Sequence, residues 1–159
     1  MIVFSNTTPF IALSSVGQLD LLPQLFGVVH AVEAVAAECA AGGPILVPPL
    51  RELAWVKLVS IPPPEPGSSL WNLGAGERMT LHAAMFQKAD RVLIDEKIGR
   101  NRAEYLGLDV TGTLGVVLKA RQLDLVPSFS ELVLRMKARG IRYNLDLARR
   151  LAAQVGESF

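Results

Sequence analysis

The sequence predicts a three-layer α/β domain with a mainly parallel central sheet. Short apolar runs alternate with helical patterns along the chain, which is the element order of βαβ units. The run at residues 92–94 is continuously apolar, as expected of a strand buried on both faces of a parallel sheet. Half of the 159 residues are apolar, enough for one sizeable core, so we expect a single domain over residues 1–159.

The first half of the chain supplies three of the predicted strands. Thr8 and Pro9 predict the start of the first helix, because threonine caps helix N-termini and proline suits the first helical position. That helix ends before Gly17, and an Ala-rich helix ends before Gly42. The expected strands lie within residues 2–4, 26–30 and 56–61, and the expected helices are 8–15, 19–25 and 32–39, with a further helical turn at 50–54.

The second half adds two strands and most of the helices. Ser128 and Glu131 form a capping-box pattern for a helix that reaches about Arg139, and Asn144 caps a last helix. The expected strands are 92–94 and 109–110, each followed by a helix, the second of them at 114–123. A helix that begins within residues 73–77 offers five apolar side chains to the core: Met79, Leu81, Ala83, Ala84 and Phe86.

The charge distribution and the composition indicate which kind of partner the protein binds and where in the cell it is expected. Residues 78–159 carry fourteen basic and nine acidic side chains, against two and six in residues 1–77. This asymmetry fits a basic surface for a polyanion, although a solvated face on the C-terminal helices is the commoner explanation. No apolar run approaches the ~20 residues of a membrane span, and the start resembles a strand and not a signal peptide. With Cys39 as the only cysteine, we expect a cytoplasmic protein without a disulfide.

Oxygen-bearing side chains at the expected sheet edge are the first candidates for chemistry. Asn6 and Asp95 each follow a predicted strand, and the carboxyl ends of parallel strands meet at the edge where ligands bind. Glu38 lies near a helix C-terminus, where the helix dipole disfavours an anion, so either simple solvation or a further interaction must explain it. The dipole favours Glu77 in its first helical turn even without a function. With Glu96, these carboxylates offer the oxygen ligands that Mg²⁺ and Mn²⁺ prefer.

Arg100 and the turn Thr111–Gly112–Thr113 are the candidates for contacting a phosphate. Arg100 can pair with Asp95 or Glu96, or it can bind a scissile phosphate. The turn can present N–H groups to a phosphate at a helix N-terminus, or it is an ordinary turn with Thr113 as N-cap. The sequence has no Gly-x-x-x-x-Gly-Lys phosphate loop and no Gly-x-Ser-x-Gly nucleophile elbow.

As an ordered set, four segments resemble PIN-like proteins. They are Ser5–Leu13 with Gly17–Leu22 and Leu25–Gly27, Gly74–Glu77, Leu93–Glu96 with Gly99–Arg100, and Leu106–Gly115. The resemblance spans residues 2 to about 156 and implies an α/β/α sandwich with an acidic cluster that binds Mg²⁺ or Mn²⁺. It also implies cleavage of RNA by metal-activated water. Many PIN-like proteins are the toxin partner of a toxin–antitoxin pair and form homodimers.

Carried over residue by residue, the acidic positions of PIN-like proteins fall on Asn6, Glu38, Glu77 and Asp95, with Glu96 as an additional carboxylate. Asn6 departs from the pattern, because an amide oxygen can ligate a cation or hold a water but brings no negative charge. Since Mg²⁺ sheds its waters reluctantly, we expect a weaker or Mn²⁺-preferring site, or an inactive one.

Two hypotheses follow from the sequence. The first is a metal-dependent ribonuclease that acts on single-stranded RNA, with Arg100, Thr111 and Thr113 positioning the phosphodiester. The partners implied are RNA, an antitoxin protein and a second copy of the chain. The second hypothesis is a PIN-like module with weakened or lost catalysis that acts by binding RNA or protein.

Overall fold

The computed structural model describes residues 1–159 and is organised around a central sheet of five strands. They are β1 (Val3–Ser5), β2 (Val29–Val32), β3 (Val56–Val59), β4 (Arg91–Leu93) and β5 (Val110–Thr111). The strand order is β3-β2-β1-β4-β5, and every neighbouring pair is parallel. The predicted parallel α/β fold is therefore confirmed.

Eight α-helices connect and cover these strands. They are α1 (Thr7–Ser15), α2 (Leu21–Phe26), α3 (Glu33–Ala40), α4 (Ala75–Phe86), α5 (Lys97–Tyr105), α6 (Thr113–Gln122), α7 (Phe129–Ala138) and α8 (Leu145–Gln154), with a short 3-10 helix at Leu50–Glu52. α4 packs against β1, β2 and α3, whereas α6 packs against α1, α2, α7 and α8, which gives the α/β/α sandwich. None of the helices has the length and apolar character needed to cross a membrane.

The middle of the sheet explains where a site can form. All residues of β1 are fully buried, and the chain builds β2 and β3 on one side of it before returning to build β4 and β5 on the other. In open parallel sheets, the crevice at such a reversal of strand order is the usual ligand site. The segments that leave β1 and β4 meet in this crevice, where the Asn6 N–H donates to the Leu93 carbonyl over 2.9 Å.

The start of α1 differs from the prediction. The helix begins at Thr7, so its N-cap residue is Asn6 and not Thr8, and Pro9 occupies the third helical position. The physical reason is that Asn6 remains extended and its N–H still pairs with β4. Strand pairing therefore holds the chain until the residue before the helix, and the Asn6 side chain makes no capping hydrogen bond.

Two further predictions in the second half of the chain are corrected. α6 has Gly112 as its N-cap and Thr113 as its first residue, because the Asp95 carboxylate accepts the Thr113 N–H and satisfies the helix terminus. Phe86, expected in the core, is 72% exposed, because at helical spacing it lies off the face of α4 that Thr80, Ala83 and Ala84 bury.

The C-terminal helices start as the sequence predicts. The Ser128 hydroxyl accepts the Glu131 N–H over 3.1 Å, and Asn144 Oδ1 accepts the Leu147 N–H over 2.9 Å. Both contacts satisfy an N–H group that has no partner within its own helix. The side-chain capping expected for α7 and α8 is therefore confirmed.

A partly buried carboxylate fastens the C-terminal segment to α7. Glu157 accepts hydrogen bonds from the backbone N–H groups of Ser130 (2.8 Å) and Phe129 (3.0 Å), from the Ser128 hydroxyl (2.8 Å) and from Arg121 Nε (3.1 Å). Burial opposes ionisation, but these hydrogen bonds outweigh it and lower the pKa of Glu157 to about 2. The anchor is therefore strongest when Glu157 is ionised.

Candidate active site

Four of the predicted site residues meet in one small cavity at the β1/β4 crevice. Asn6, Glu38, Glu77 and Glu96 line a cavity of about 180 Å³, which we call the acidic cavity. Threonines and glycines complete its wall, and no hydrophobic residue contributes to it. A compact space lined by oxygen atoms suits a hydrated cation or a phosphate oxygen better than an organic ligand.

Glu38 is held in the acidic cavity by two contacts that the sequence did not reveal. The Thr7 hydroxyl donates to Oε2 over 2.5 Å, and the Gly76 N–H donates to Oε1 over 3.1 Å. These contacts explain why Glu38 is tolerated in the last turn of α3, where the helix dipole disfavours an anion. Gly76 also has to be small, because a Cβ at that position would lie 2.6 Å from Glu38 Oε1.

Two oxygen atoms of the acidic cavity are buried without a hydrogen-bond partner. They are Asn6 Oδ1 and Glu77 Oε2, and the Asn6 side chain belongs to a residue that is only 4% exposed. A buried polar group without a partner costs about 1–3 kcal/mol of folding free energy. Two such atoms in one cavity therefore mark the place where an absent donor or cation would be stabilising.

The surroundings of Glu77 make its negative charge unfavourable in the protein alone. Burial, followed by the charges of Glu96 and Glu38, raises the pKa of Glu77. Gly99 on α5 leaves room for this carboxylate, because a Cβ there would lie 2.3 Å from Glu77 Oε2. Two glycines thus shape the acidic cavity, and a glycine inside a helix, such as Gly99, is itself a sequence signal of close approach.

The donor set of the acidic cavity fits a hard divalent cation. Its oxygen atoms come from carboxylates and an amide, and two of them lack partners. No three acidic, histidine or cysteine side chains are arranged as a complete metal-binding group. The complete acidic ligand cluster that the resemblance implies is therefore not assembled in the protein alone.

Asp95 lies apart from the acidic cavity. Its two oxygens accept the N–H (2.6 Å) and the hydroxyl (2.5 Å) of Thr113. It lines a neighbouring cavity, whereas the next residue, Glu96, faces Glu38 and Glu77. The structure therefore divides the predicted set, because the unpaired N–H groups at the start of α6 attract the first of the two adjacent carboxylates.

The predicted phosphate-contacting residues have different surroundings. Arg100 takes part in none of the ion pairs in the structure. The predicted pairing with Asp95 or Glu96 is therefore not formed. The Thr111 hydroxyl accepts a hydrogen bond from Arg91, and the Thr113 hydroxyl is held by Asp95. Arg100 is therefore the one member of this group with an uncommitted side chain.

The only cysteine, Cys39, lies next to the site in sequence but is not reactive. Cys39 follows Glu38 but is buried, and burial together with the Glu38 charge raises the pKa of its thiol to about 12. Since the thiolate is the reactive form, Cys39 acts as a packed side chain, as the sequence indicates.

The parallel sandwich and the oxygen-lined crevice between β1 and β4 define the class of a PIN-like, nuclease-type module. Residues 2–157 match the family model of the PIN domain (DUF3368), so the chain belongs to the PIN-domain family. PIN domains are generally nucleases and typically depend on divalent metal ions. The resemblance proposed from the sequence is thereby confirmed.

Comparison with solved structures supports the same fold. The chain is similar to a PilT N-terminus domain protein, SSO1118, from the hyperthermophilic archaeon Sulfolobus solfataricus P2, with a TM-score of 0.51 and 16% sequence identity. The match covers 91% of this chain and 98% of the archaeal one. At this identity the similarity concerns the fold. No match was found among curated proteins.

Proposed function

We propose that this chain is a divalent-metal-dependent ribonuclease that hydrolyses phosphodiester bonds of single-stranded RNA. The observation that carries the proposal is the acidic cavity, where Asn6 Oδ1 and Glu77 Oε2 are buried without partners beside Glu38 and Glu96. Membership of the PIN-domain family supports the reaction class. The excess of basic residues in the second half of the chain favours a polyanionic substrate.

Each residue of the acidic cavity has a distinct part in the proposed site. Glu77, Glu96 and Glu38 would hold Mg²⁺ or Mn²⁺, and the Asn6 amide oxygen would complete the polar wall. The chemistry that such an ion supplies is acidification of water and neutralisation of charge on the phosphate. Thr7 and Gly76 fix Glu38 in advance, so that little rearrangement is needed when a cation binds.

Asp95 and Arg100 serve the substrate side of the site. Asp95 holds the first turn of α6 through both of its carboxylate oxygens, and each oxygen keeps a lone pair for a further contact. Arg100, free of ion pairs, would attract the RNA phosphate, and the Thr111–Thr113 backbone would lie alongside it. A flexible single strand can bring its backbone into this crevice more readily than a stiff duplex.

A catalytically weakened PIN-like module is the second candidate. Asn6 supplies no charge at a position where PIN-like proteins have a carboxylate, and the side chains form no complete metal-binding group. In that case the chain would act by binding RNA or protein. The finer assignments, which are a toxin role, an antitoxin partner, a homodimer and a cytoplasmic location, are part of the proposal and rest on the resemblance.

The proposal is tested by incubating purified protein with a labelled single-stranded RNA, with Mn²⁺, Mg²⁺ or EDTA. We expect cleavage with Mn²⁺, weaker cleavage with Mg²⁺, and none with EDTA or in Glu77→Gln. Glu52→Gln is the matched control, since Glu52 is exposed and lies on the 3-10 helix. Cleavage that persists in EDTA or in Glu77→Gln would contradict the mechanism, and RNA binding without any cleavage would favour the weakened module.

A further inference from the structure

A second, larger cavity adjoins the acidic cavity. It encloses about 300 Å³ between the start of α6, α8 and the segment that precedes α8. We call it the α6–α8 cavity. Asp95 lines it, and the next residue, Glu96, lines the acidic cavity, so the two spaces flank one turn of the chain. Its volume lies at the lower end of the range of about 300–1,000 Å³ for small-molecule pockets.

The wall of the α6–α8 cavity combines apolar side chains with charged and polar ones: seven of its 15 lining residues are hydrophobic. Leu114, Met136, Ile141, Leu147 and Leu151 contribute much of the lining. This lining contrasts with the acidic cavity, which has no hydrophobic residue. A space that offers both apolar surface and hydrogen-bonding groups suits a flat, partly polar group such as a nucleobase.

Two arginines without ion pairs stand at the α6–α8 cavity. Arg100 and Arg142 both line it, and neither takes part in any ion pair of the structure. A third cavity, of about 420 Å³, lies next to the α6–α8 cavity. It shares Ile141, Arg142 and Tyr143 with that cavity and is also lined by Lys137. Lys137 therefore extends the positive charge beyond the cavity, whose own lining holds two arginines and one carboxylate, Asp95. Guanidinium groups without partners favour an occupant that carries phosphates.

Tyr143 adds an aromatic wall with an unsatisfied polar end. Its hydroxyl is buried and has no hydrogen-bond partner. Its ring packs edge-on against Phe159, with 6.0 Å between the ring centroids. Phe159 lies two residues after Glu157, which is hydrogen-bonded to α7, so the partner of the Tyr143 ring is tethered to the fold. A fixed aromatic ring suits stacking, and a buried hydroxyl suits the hydrogen-bonding edge of a base.

We propose that the α6–α8 cavity binds one unstacked base of the RNA strand, while Arg100 and Arg142 contact the phosphates beside that base. The proposal rests on the proposed function, because the strand that fills this cavity is the one that passes the acidic cavity. A duplex cannot present such a base without opening, so the cavity would enforce the preference for single strands. An apolar side chain of a partner protein would fill the space but would leave both guanidinium groups unpaired.

The test measures binding, without cleavage, by fluorescence anisotropy in the presence of EDTA. The probes are a labelled single-stranded RNA and an abasic oligomer with the same length and number of phosphates. We expect the abasic oligomer to bind about tenfold more weakly to the wild type, the size of one lost base contact. Leu147→Trp fills the cavity, so it should weaken RNA binding about tenfold and leave the abasic oligomer unaffected.

Leu134→Trp is the matched control, because Leu134 is an exposed residue of α7 outside the cavity. Thermal melting checks that each variant folds, and Leu147→Phe is the milder second variant. Equal affinity of the wild type for both oligomers would overturn the proposal and favour a protein side chain as the occupant. A Leu147→Trp effect of equal size on both oligomers, or on neither, would overturn it as well.

The outcome separates this inference from the proposed nuclease activity. Mn²⁺-dependent cleavage by a protein that binds both oligomers equally would remove the base-binding cavity and leave the nuclease in place. Base-dependent binding by a protein that cleaves no RNA would support the cavity and contradict the nuclease.

Discussion

Replacing Gly76 by alanine tests the acidic cavity without removing any of its charged groups. The new Cβ would lie 2.6 Å from Glu38 Oε1 and 2.7 Å from Oε2, closer than non-bonded atoms allow. The obstructed group is the end of a flexible side chain on an exposed residue, so the carboxylate can move outward. Gly76→Ala should therefore displace Glu38 and disturb the backbone little.

The expected change in the free energy of unfolding is small because two effects oppose each other. Glu38 loses its hydrogen bond from the Gly76 N–H, of the kind worth about 1.5–3 kcal/mol when a charged group takes part, although water replaces much of it at an exposed site. Alanine inside α4 is more favourable than glycine by about 1 kcal/mol. We expect unfolding to change by about 1 kcal/mol or less, whereas Mn²⁺ affinity should fall about tenfold, or 1.4 kcal/mol.

Urea unfolding and calorimetric Mn²⁺ titration measure the two quantities on the same sample. Gly74→Ala is the control, since a Cβ at that position would meet only Glu77 Oε1, at an ordinary contact distance of 3.6 Å. The control should bind Mn²⁺ and cleave RNA as the wild type does. A folded Gly76→Ala protein with undiminished Mn²⁺ affinity would refute the assignment of Glu38 to the cation site.

Three further predictions concern the site and the C-terminal anchor. Asn6→Asp should raise Mn²⁺ affinity at least about tenfold by adding a carboxylate, and equal calorimetric affinities would contradict the role of Asn6. Asp95→Asn should abolish cleavage and lower the melting temperature, because an amide has one acceptor oxygen for the two donors of Thr113; a variant with full activity would contradict this. The pKa of Glu157 is lowered from 4.5 to about 2, so its stabilisation is complete above pH 4.5 and is lost as the pH falls toward 2. Glu157→Gln should thus cost about 1–3 kcal/mol in urea unfolding at pH 7, since solvent screens part of the effect and the amide keeps one acceptor oxygen, and it should flatten the acid dependence; an unchanged profile would contradict the anchor.

The fold was accessible to sequence reasoning because its signals are local. The apolar run that became β4 indicates a buried parallel strand on its own, and the side-chain caps of α7 and α8 are set by residues three apart. The start of α1 was misjudged for the opposite reason. Asn6 stays extended because it pairs with Leu93, a contact between residues 87 positions apart that no local pattern records.

The candidate site was predictable in its chemistry and less so in its geometry. Strand ends place Asn6 and Asp95 at one sheet edge, and the resemblance to PIN-like proteins adds Glu38 and Glu77. The structure brings Asn6, Glu38 and Glu77 to one cavity and places Asp95 in the neighbouring one. The sequence assigned the fourth acidic position to Asp95, with Glu96 as an additional carboxylate, whereas the structure places Glu96 in the acidic cavity and binds Asp95 to Thr113. The glycines at 76 and 99 were also missed, because their importance lies in carboxylates that arrive from other elements.

Because Asp95 and Glu96 line different cavities, the two ends of the crevice differ in charge. Glu96 extends the negative charge toward Glu38 and Glu77, whereas Asp95 is hydrogen-bonded to Thr113 and lines the neighbouring cavity with Arg100 and Arg142, which form no ion pair. A polyanion that crosses this turn passes from a region that repels it in the absence of a cation to a region that attracts it. Metal binding and strand binding should therefore be coupled, because a cation in the acidic cavity removes the repulsion at one end of the same path.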